Sequence, residues 1–244
     1  MGVCMIYRDI NFRKTIIDKN DLEYLNSGCC ANVYRYKDNI FKEYKDGIDY
    51  VCRMKVQLFN VLKQINNPHF IELYTIYSRI NLLEYLKYKL KKDDFYTEAY
   101  TAKYYHDDKI NVLYESTDYL LDNFRDLELL FDEISKCGIC ANDLKYENTI
   151  FTKNNIIIID PDIFYFYDIA QSNLIKKNKI LLVLLLENIL INSKFDTNED
   201  IKKDDYLKQI DKLTSVNYDE NKDVISQIAR NLNRVKKPIE FFRK

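Results

Sequence analysis

A polar segment followed by two short apolar runs is the feature that most constrains how this chain folds. The polar segment covers residues 142–148, and the apolar runs cover residues 149–151 and 155–159. A polar turn at residues 152–154 separates the two runs, and this arrangement is typical of a β-hairpin. The sequence therefore predicts two paired strands directly after the polar segment.

The predicted hairpin brings oxygen-bearing side chains to one end of the strand pair. Asn148 precedes the first strand and Asp160 follows the second, so pairing of the strands places them side by side. Magnesium prefers few carboxylates together with substrate phosphates and water, which suits such a pair. Asp162 follows two residues after Asp160, and on an extended strand both carboxylates would share a face. A surface loop with ordinary turn residues is the alternative.

A second pattern lies near the N-terminus. Gly28 lies within a short polar stretch, and strands are predicted at residues 34–36 and 40–44, joined by the polar turn 37–39. Lys42 then lies in the middle of the second strand. Taken alone, Lys42 could equally be a solvated strand lysine. The order of glycine turn, lysine strand, helix and polar loop favours a functional role for it.

Together these segments resemble the protein kinase superfamily, from about Tyr24 to about Leu190. In that superfamily a glycine-rich loop and a strand lysine hold the nucleotide phosphates, and a catalytic loop precedes a metal-binding aspartate. The resemblance implies ATP and Mg²⁺ as cofactors. The residues to which it assigns roles are Gly28, Val33, Lys42, Tyr104 and Tyr105 for the nucleotide, Asp143 and Lys145 for catalysis, and Asn148, Asp160 and Asp162 for the metal.

The chain departs from the kinase pattern in its nucleotide-binding half. Asn26 and Ala31 stand where the phosphate loop has its flanking glycines. No glutamate occurs in the helix predicted within residues 49–65, where the superfamily places the partner of the strand lysine. Gln57 is the nearest polar substitute, but a glutamine forms no ion pair with the lysine. The lysine is therefore held more weakly, or another residue such as Glu43 or Asp160 positions it.

The chain also departs from the pattern around the catalytic loop. The family's His-Arg-Asp triplet is Ala141-Asn142-Asp143 here, so we predict no switch by activation-loop phosphorylation. The Asp-Phe-Gly triplet is Asp160-Pro161-Asp162, and the proline restricts its flipping. About 17 residues separate Asp162 from an apolar helix near Lys179, so a peptide-docking platform would be short or absent.

The resemblance implies an α+β protein with a two-lobed, protein kinase-like fold. A small β-rich lobe would comprise residues 1–105, and a mainly helical lobe would comprise residues 106–244. Hydrophobic residues make up 47% of the chain, with only four Gly and three Pro, so we expect few flexible linkers. Helices of the larger lobe are predicted at residues 116–124, 126–137, 180–186, 198–213 and 219–235.

A leucine-rich segment, residues 82–92, is predicted to form a short amphipathic helix in the smaller lobe. Its leucines and lysines fall on different faces at helical spacing: Leu82, Leu83, Leu86 and Leu90, with Lys87, Lys89, Lys91 and Lys92. We expect the leucines to pack against the lobe and the lysines to be solvated. A docking or membrane-surface role is the alternative.

The overall charge argues against recruitment of nucleic acid. Lys and Arg number 37 against 38 Asp and Glu, so the net charge is -1. We see no secretory signal at the N-terminus, and the longest apolar stretch, residues 180–186, is too short to span a membrane. We therefore expect a cytoplasmic protein with reduced cysteines, and a composition rich in Lys, Ile, Asn and Tyr suggests a bacterial source.

The leading functional prediction is an ATP- and magnesium-dependent protein serine/threonine kinase. A small-molecule kinase of the aminoglycoside and choline kinase type is the second, supported by the short activation segment and by Asp162. A nucleotide-binding pseudokinase scaffold is the third, motivated by the missing glycines and helix glutamate. Lys145 favours the first over the second, and the converging carboxylates argue against the third.

Overall fold

In the computed structural model, the described residues are 4–49, 53–91, 93–106, 117–142 and 144–192. Their secondary structure is mixed, so the predicted α+β class is confirmed. Contacts between α-carbons divide the chain into two units. The first comprises Met1–Asn66 and Ile71–Tyr105, and the second comprises Asn67–Phe70 and His106–Lys244.

The first unit begins with an antiparallel hairpin of β1 (Cys4–Arg8) and β2 (Lys14–Asp18). Successive residues of a strand point to opposite faces of the pair. Met5, Tyr7 and Ile17 accordingly enter the core, whereas Ile6 and Ile16, which are cross-strand partners, are more than half exposed on the other face. The hairpin therefore covers one side of the core and presents an apolar pair outward.

A five-stranded antiparallel sheet forms the centre of the first unit, with strand order β3-β4-β5-β7-β6. The predicted hairpin with Lys42 in mid-strand is confirmed, since β4 and β5 pair across the turn at Lys37, where φ is 58°. The side chain of Phe41 is fully buried among tyrosine rings. The strands are β3 (Leu22–Ser27), β4 (Ala31–Tyr36), β5 (Asn39–Tyr44), β6 (Leu73–Tyr77) and β7 (Ala99–Lys103).

Helix α1 spans Val56–Leu62 and is shorter than the helix predicted within residues 49–65. Lys55 forms a β-bridge with Tyr96, and the carbonyl of Met54 accepts hydrogen bonds from the amide and hydroxyl of Thr97. These pairings hold the chain extended up to the first helical residue, although the apolar spacing continues upstream. Residues 50–52 of that prediction lie outside the described residues.

Helix α2 (Leu82–Lys89) forms between β6 and β7 along the chain, as predicted. Asn81 and Glu84 form a capping box at its N-terminus, which satisfies two backbone N–H groups. The expected packing of its leucines is wrong, because none of its residues is buried. Lys92 lies outside the described residues. The exposed fractions are 56% for Leu82, 64% for Leu83, 47% for Leu86 and 65% for Leu90.

Two long helices frame the second unit. Helix α3 (Thr117–Lys136) replaces the two shorter helices predicted there, because no Gly or Pro interrupts the run at Arg125. Helix α4 (Gln171–Asn192) begins earlier than expected. The helices predicted at 198–213 and 219–235 lie outside the described residues. Among the helices that the structure describes, none combines the length and apolar character needed to cross a bilayer.

The second unit also contains two pairs of short antiparallel strands. β8 (Ile139–Ala141) pairs with β11 (Phe164–Phe166) and contacts both long helices. β9 (Thr149–Phe151) pairs with β10 (Ile156–Ile158), so the hairpin predicted from the apolar runs is confirmed. Phe70 forms a parallel β-bridge with Ile158, and so adds one residue of pairing beside β10.

Candidate functional site

The end of the β9–β10 hairpin fixes the backbone around Asn148. The amide of Ile159 donates to the carbonyl of Asn148 over 3.0 Å, and the amide of Asn148 donates to the carbonyl of Lys145 over 3.0 Å. Asn148 itself is 8% exposed and ends a short 3-10 turn. Ile159, the residue before Asp160, is thus hydrogen-bonded to Asn148. The prediction that the backbones of Asn148 and Asp160 lie close together is confirmed.

The segment after β10 is a 3-10 turn and not an extended strand. Asp160 caps this turn, because one of its carboxylate oxygens accepts a hydrogen bond from the amide of Asp162 over 3.3 Å. Pro161 occupies the first position of the turn, where its missing N–H is tolerated. Side chains two positions apart in a 3-10 turn do not share a face. The argument that placed the carboxylates of Asp160 and Asp162 together is therefore wrong, and metal binding by Asp162 stays a prediction.

The segment predicted to form a catalytic loop is held at both ends. At its start, β8 pairs with β11, and the amide of Asn142 donates to the carbonyl of Ile163 over 2.8 Å. The hydroxyl of Tyr167 donates to the side-chain oxygen of Asn142. At its end, the half-buried Lys145 leads into the turn that carries Asn148. Asp143 lies outside the described residues, so its catalytic role stays a prediction.

A buried polar cluster lies behind this loop. The side-chain amide of Asn178, on α4, donates to Ser135 Oγ over 2.8 Å and to the carbonyl of Ile139 over 2.9 Å. Its oxygen accepts from the amide of Ala141 over 3.2 Å. Asn178 is fully buried, so these hydrogen bonds replace water completely. One asparagine thereby joins α3, β8 and α4.

Lys177 and Tyr167 complete this cluster, and sequence reasoning missed both. The ammonium of Lys177 lies 3.7 Å from the centre of the Tyr167 ring. Burial lowers the pKa of Lys177 to about 8, and the neighbouring Cys140 thiol partly opposes the shift. Burial raises the pKa of the Cys140 thiol to about 12, with Lys177 opposing it. Cys140 itself is fully buried in β8.

His69, from a distant part of the chain, forms hydrogen bonds with strand β10 of the β9–β10 hairpin. One ring nitrogen, Nδ1, lies 2.9 Å from the carbonyl of Ile156, and the other, Nε2, lies 3.5 Å from the carboxylate of Asp126. The backbone carbonyl of His69 accepts from the amide of Ile158 over 2.9 Å. This histidine is buried and contributes to the position of the hairpin rather than to an open site.

In the first unit, Lys42 lies on the sheet face opposite the aromatic core. Its cross-strand partners are Val33 on β4 and Tyr100 on β7, which share that face with it. The Lys42 ammonium lies 5.8 Å from the centre of the Tyr100 ring. The proximity of Val33 and Lys42, both assigned to the nucleotide, follows directly from the register.

Glu43 does not face the same way as Lys42. As the next residue of the strand it points to the opposite face. There it accepts a hydrogen bond from the hydroxyl of Tyr7 and lies 3.9 Å from Arg79. The suggestion that Glu43 positions the lysine is therefore wrong, and Gln57 is exposed on α1. Asp160 stays a prediction for this role.

Gly28 lies in the turn between β3 and β4. Its amide donates to the carbonyl of Ala31 over 2.9 Å, and its carbonyl accepts from the ammonium of Lys45 over 2.6 Å. A Cβ added at Gly28 would lie 3.9 Å from the carbonyl oxygen of Ala31, which is an ordinary van der Waals contact. The turn geometry alone does not require glycine, so a requirement would have to come from a bound group.

Tyr104 and Tyr105 follow directly after β7. The guanidinium of Arg35 lies 5.0 Å from the centre of the Tyr104 ring, and the ammonium of Lys103 lies 5.4 Å from that of Tyr105. Burial raises the pKa of Tyr105. Each ring thus has one cation of the first unit near it, and the contact with adenine predicted for this segment is one of backbone groups.

The predicted site residues are divided between the two units. The residues predicted to contact the nucleotide belong to the first unit, and Lys145, Asn148, Asp160 and Asp162 belong to the second. Among the described residues, no three His, Cys, Asp or Glu side chains cluster to hold a metal ion. The amide and carboxylate oxygens of Asn148 and Asp160 are nevertheless the hard ligands that magnesium takes alongside phosphates and water. Neither the protein-family models nor the curated protein sequences compared with this chain match it.

Proposed function

We propose that this chain is an ATP- and magnesium-dependent phosphotransferase with a hydroxyl acceptor, in the first place a serine or threonine of a protein. The observation that carries the proposal is the hydrogen bond between Ile159 and Asn148, which sets Asn148 beside the residue that precedes Asp160. Two oxygen ligands at neighbouring strand ends suit a metal that also binds nucleotide phosphates. The two-lobed, kinase-like arrangement is part of this proposal.

Each residue has a defined part in the proposed reaction. The acceptor hydroxyl attacks the γ-phosphorus of ATP, the bond to the bridging oxygen breaks, and ADP leaves. The hydroxyl proton moves to the carboxylate of Asp143, and Lys145 offsets negative charge on the phosphoryl group in transfer. Lys42 and Gly28 hold the nucleotide phosphates, Val33 contacts its base, and backbone groups at Tyr104 and Tyr105 bind adenine. Magnesium, held by Asn148 and Asp160 with Asp162 nearby, would neutralise phosphate charge.

A small-molecule acceptor is the second candidate, and one observation favours it. Helix α4 begins at Gln171, so only residues 163–170 separate Asp162 from that helix. This segment is shorter than expected from the sequence, and three of its residues belong to β11, which is paired with β8. Little chain therefore remains there to form a platform for a peptide, whereas a small alcohol would need none.

The experiment follows transfer of label from γ-labelled ATP in the presence of magnesium, with a cell lysate and with small cationic alcohols as acceptors. We expect Asp160→Asn to lower turnover by at least about 100-fold, because a charged metal ligand is lost. Asp168→Asn is the matched control, since Asp168 is exposed in the same part of the chain. Asp143→Ala should have a similarly large effect while nucleotide binding persists.

The outcomes separate the candidates. Labelled protein that disappears in Asp160→Asn but not in Asp168→Asn supports a protein kinase. Consumption of ATP without labelled protein, again dependent on Asp160, supports a small-molecule kinase. Nucleotide binding without any turnover, or turnover that survives Asp143→Ala and Asp160→Asn, contradicts the proposed phosphotransferase and leaves the pseudokinase scaffold.

A further inference from the structure

Helix α2 is attached to the first unit by its tyrosines and not by its leucines. The hydroxyl of Tyr88 accepts a hydrogen bond from the side-chain amide of Asn60 over 2.9 Å, and its ring packs edge-on against Phe95. The ring of Tyr85 stacks on Phe12 with centroids 4.9 Å apart. Tyr85 and Tyr88 are the only residues of the helix that are even half-buried.

The leucines consequently point away from the unit. At about 100° per residue, Leu82, Leu83, Leu86 and Leu90 fall within an arc of roughly 100°, and the tyrosines lie roughly opposite. Leu83 and Leu90 are 64% and 65% exposed. A contiguous stripe of four exposed leucines on one two-turn helix is unusual for a surface that faces only water.

Lysines flank the leucine stripe on both sides. By the same helical geometry, Lys87 lies roughly 85° to one side of the centre of the stripe and Lys89 roughly 75° to the other. Both are exposed, as is Lys91 just after the helix. Glu84, the acidic residue of the helix, closes the capping box at its N-terminus. The helix therefore presents apolar side chains bordered by positive charge.

The apolar surface continues beyond the helix. Leu82 and Ile6 line a common surface cleft of about 660 Å³, together with Arg8. Ile6 and its cross-strand partner Ile16 are 56% and 55% exposed. The guanidinium of Arg8 lies 4.1 Å from the centre of the Phe12 ring, and the Phe12 ring also stacks on that of Tyr85. The β1–β2 hairpin and helix α2 thus border one cleft, and Arg8 and Arg79 add positive charge to it.

We propose that this surface, formed by the leucine stripe of α2 with Ile6 and Ile16, binds the surface of an anionic lipid bilayer. A helix whose apolar side enters the headgroup region while lysines lie beside it is the arrangement of interfacial helices. The aliphatic stems of Lys87 and Lys89 can lie along the leucines while their ammonium groups meet lipid phosphates. The charge of the helix matches an anionic leaflet, and its protruding leucines suit insertion into a headgroup layer.

The test is sedimentation of the full chain with vesicles of phosphatidylcholine alone or with about one third phosphatidylserine. We expect binding to the anionic vesicles that weakens at least tenfold when salt rises from about 0.1 M to about 0.5 M. Leu83→Ser with Leu90→Ser should lower binding at least tenfold, because the inserted apolar area is lost. Lys87→Gln with Lys89→Gln should lower it roughly tenfold on anionic vesicles only.

Leu129→Ser is the matched control, since Leu129 is 60% exposed on the helix α3 of the second unit. It should bind anionic vesicles as the wild type does. Circular dichroism of each variant confirms that the exposed substitutions leave the fold intact. No sedimentation of the wild type, equal loss in Leu129→Ser, or unchanged binding in the leucine variant overturns the proposal. Self-association of the wild type that the leucine variant abolishes, without vesicle binding, would assign the surface to a second copy of the chain instead.

Discussion

The substitution Asn178→Ala tests whether one buried side-chain amide joins α3, β8 and α4. The change removes three hydrogen bonds, to Ser135, Ile139 and Ala141, at a position with no exposed surface. Each buried hydrogen bond contributes about 0.5–1.5 kcal/mol, and a buried partner left unsatisfied costs about 1–3 kcal/mol. Because some partners will relax, we expect the free energy of unfolding to fall by about 2–4 kcal/mol.

Urea unfolding followed by circular dichroism measures this loss, provided that the slope against urea stays unchanged. Asn173→Ala is the control, because Asn173 is exposed on the same helix. A double-mutant cycle with Ser135→Ala should give a coupling energy of about 0.5–1.5 kcal/mol. A loss below about 1 kcal/mol for Asn178→Ala, equal to that of the control, would refute the structural role given to this asparagine.

Two further predictions concern the same cluster. The pKa of Lys177 is about 8 in the folded chain against 10.5 when unfolded, so the unfolded state holds more protons and stability due to Lys177 rises with pH through this window. Urea unfolding at pH 7 and pH 9 measures this effect. The free energy of unfolding of the wild type should rise with pH relative to that of Lys177→Met. A difference that does not change with pH would contradict the burial of Lys177. Tyr167→Phe removes the hydroxyl that donates to Asn142. The free energy of unfolding, measured by heat or urea, should fall by about 1 kcal/mol. An unchanged value would mean that this hydrogen bond contributes nothing to stability.

Local sequence signals predicted the hairpins that carry the candidate site. The β4–β5 and β9–β10 pairs follow from short β-rich runs joined by polar turns, and neither depends on distant residues for its register. The short turn between β4 and β5 also makes Val33 a cross-strand partner of Lys42, whereas the pairing with Tyr100 depends on the distant strand β7. The neighbourhood of Asn148 and Asp160 could be predicted for the same reason, because it results from a turn of a few residues.

Features set by distant contacts could not be predicted in this way. Helix α1 begins late because Lys55 pairs with Tyr96, which is far along the chain. Amphipathic spacing located the apolar face of α2 but could not tell that Tyr85 and Tyr88, and not the leucines, meet the unit. The face of α2 that meets the unit is set by Phe12, Asn60 and Phe95, which lie on three separate segments.

The sequence contains one feature from which the buried cluster around Asn178 could have been predicted. Asn178 lies four residues after the buried Leu174 and three before the buried Leu181, so it occupies the core face of α4. A polar residue on such a face indicates a buried hydrogen-bond network. Its partners lie at least 37 residues away, so their identity could not be derived from spacing.

The assignment of Asn67–Phe70 to the second unit has a consequence for how the chain can be made and divided. The chain passes between the units three times, so a single cut cannot release either one whole. A fragment starting at His106 would lack His69, which lies 87 residues from its hydrogen-bond partner Ile156. During synthesis this short segment must wait for the second half to emerge from the ribosome, and such long-range closure slows folding.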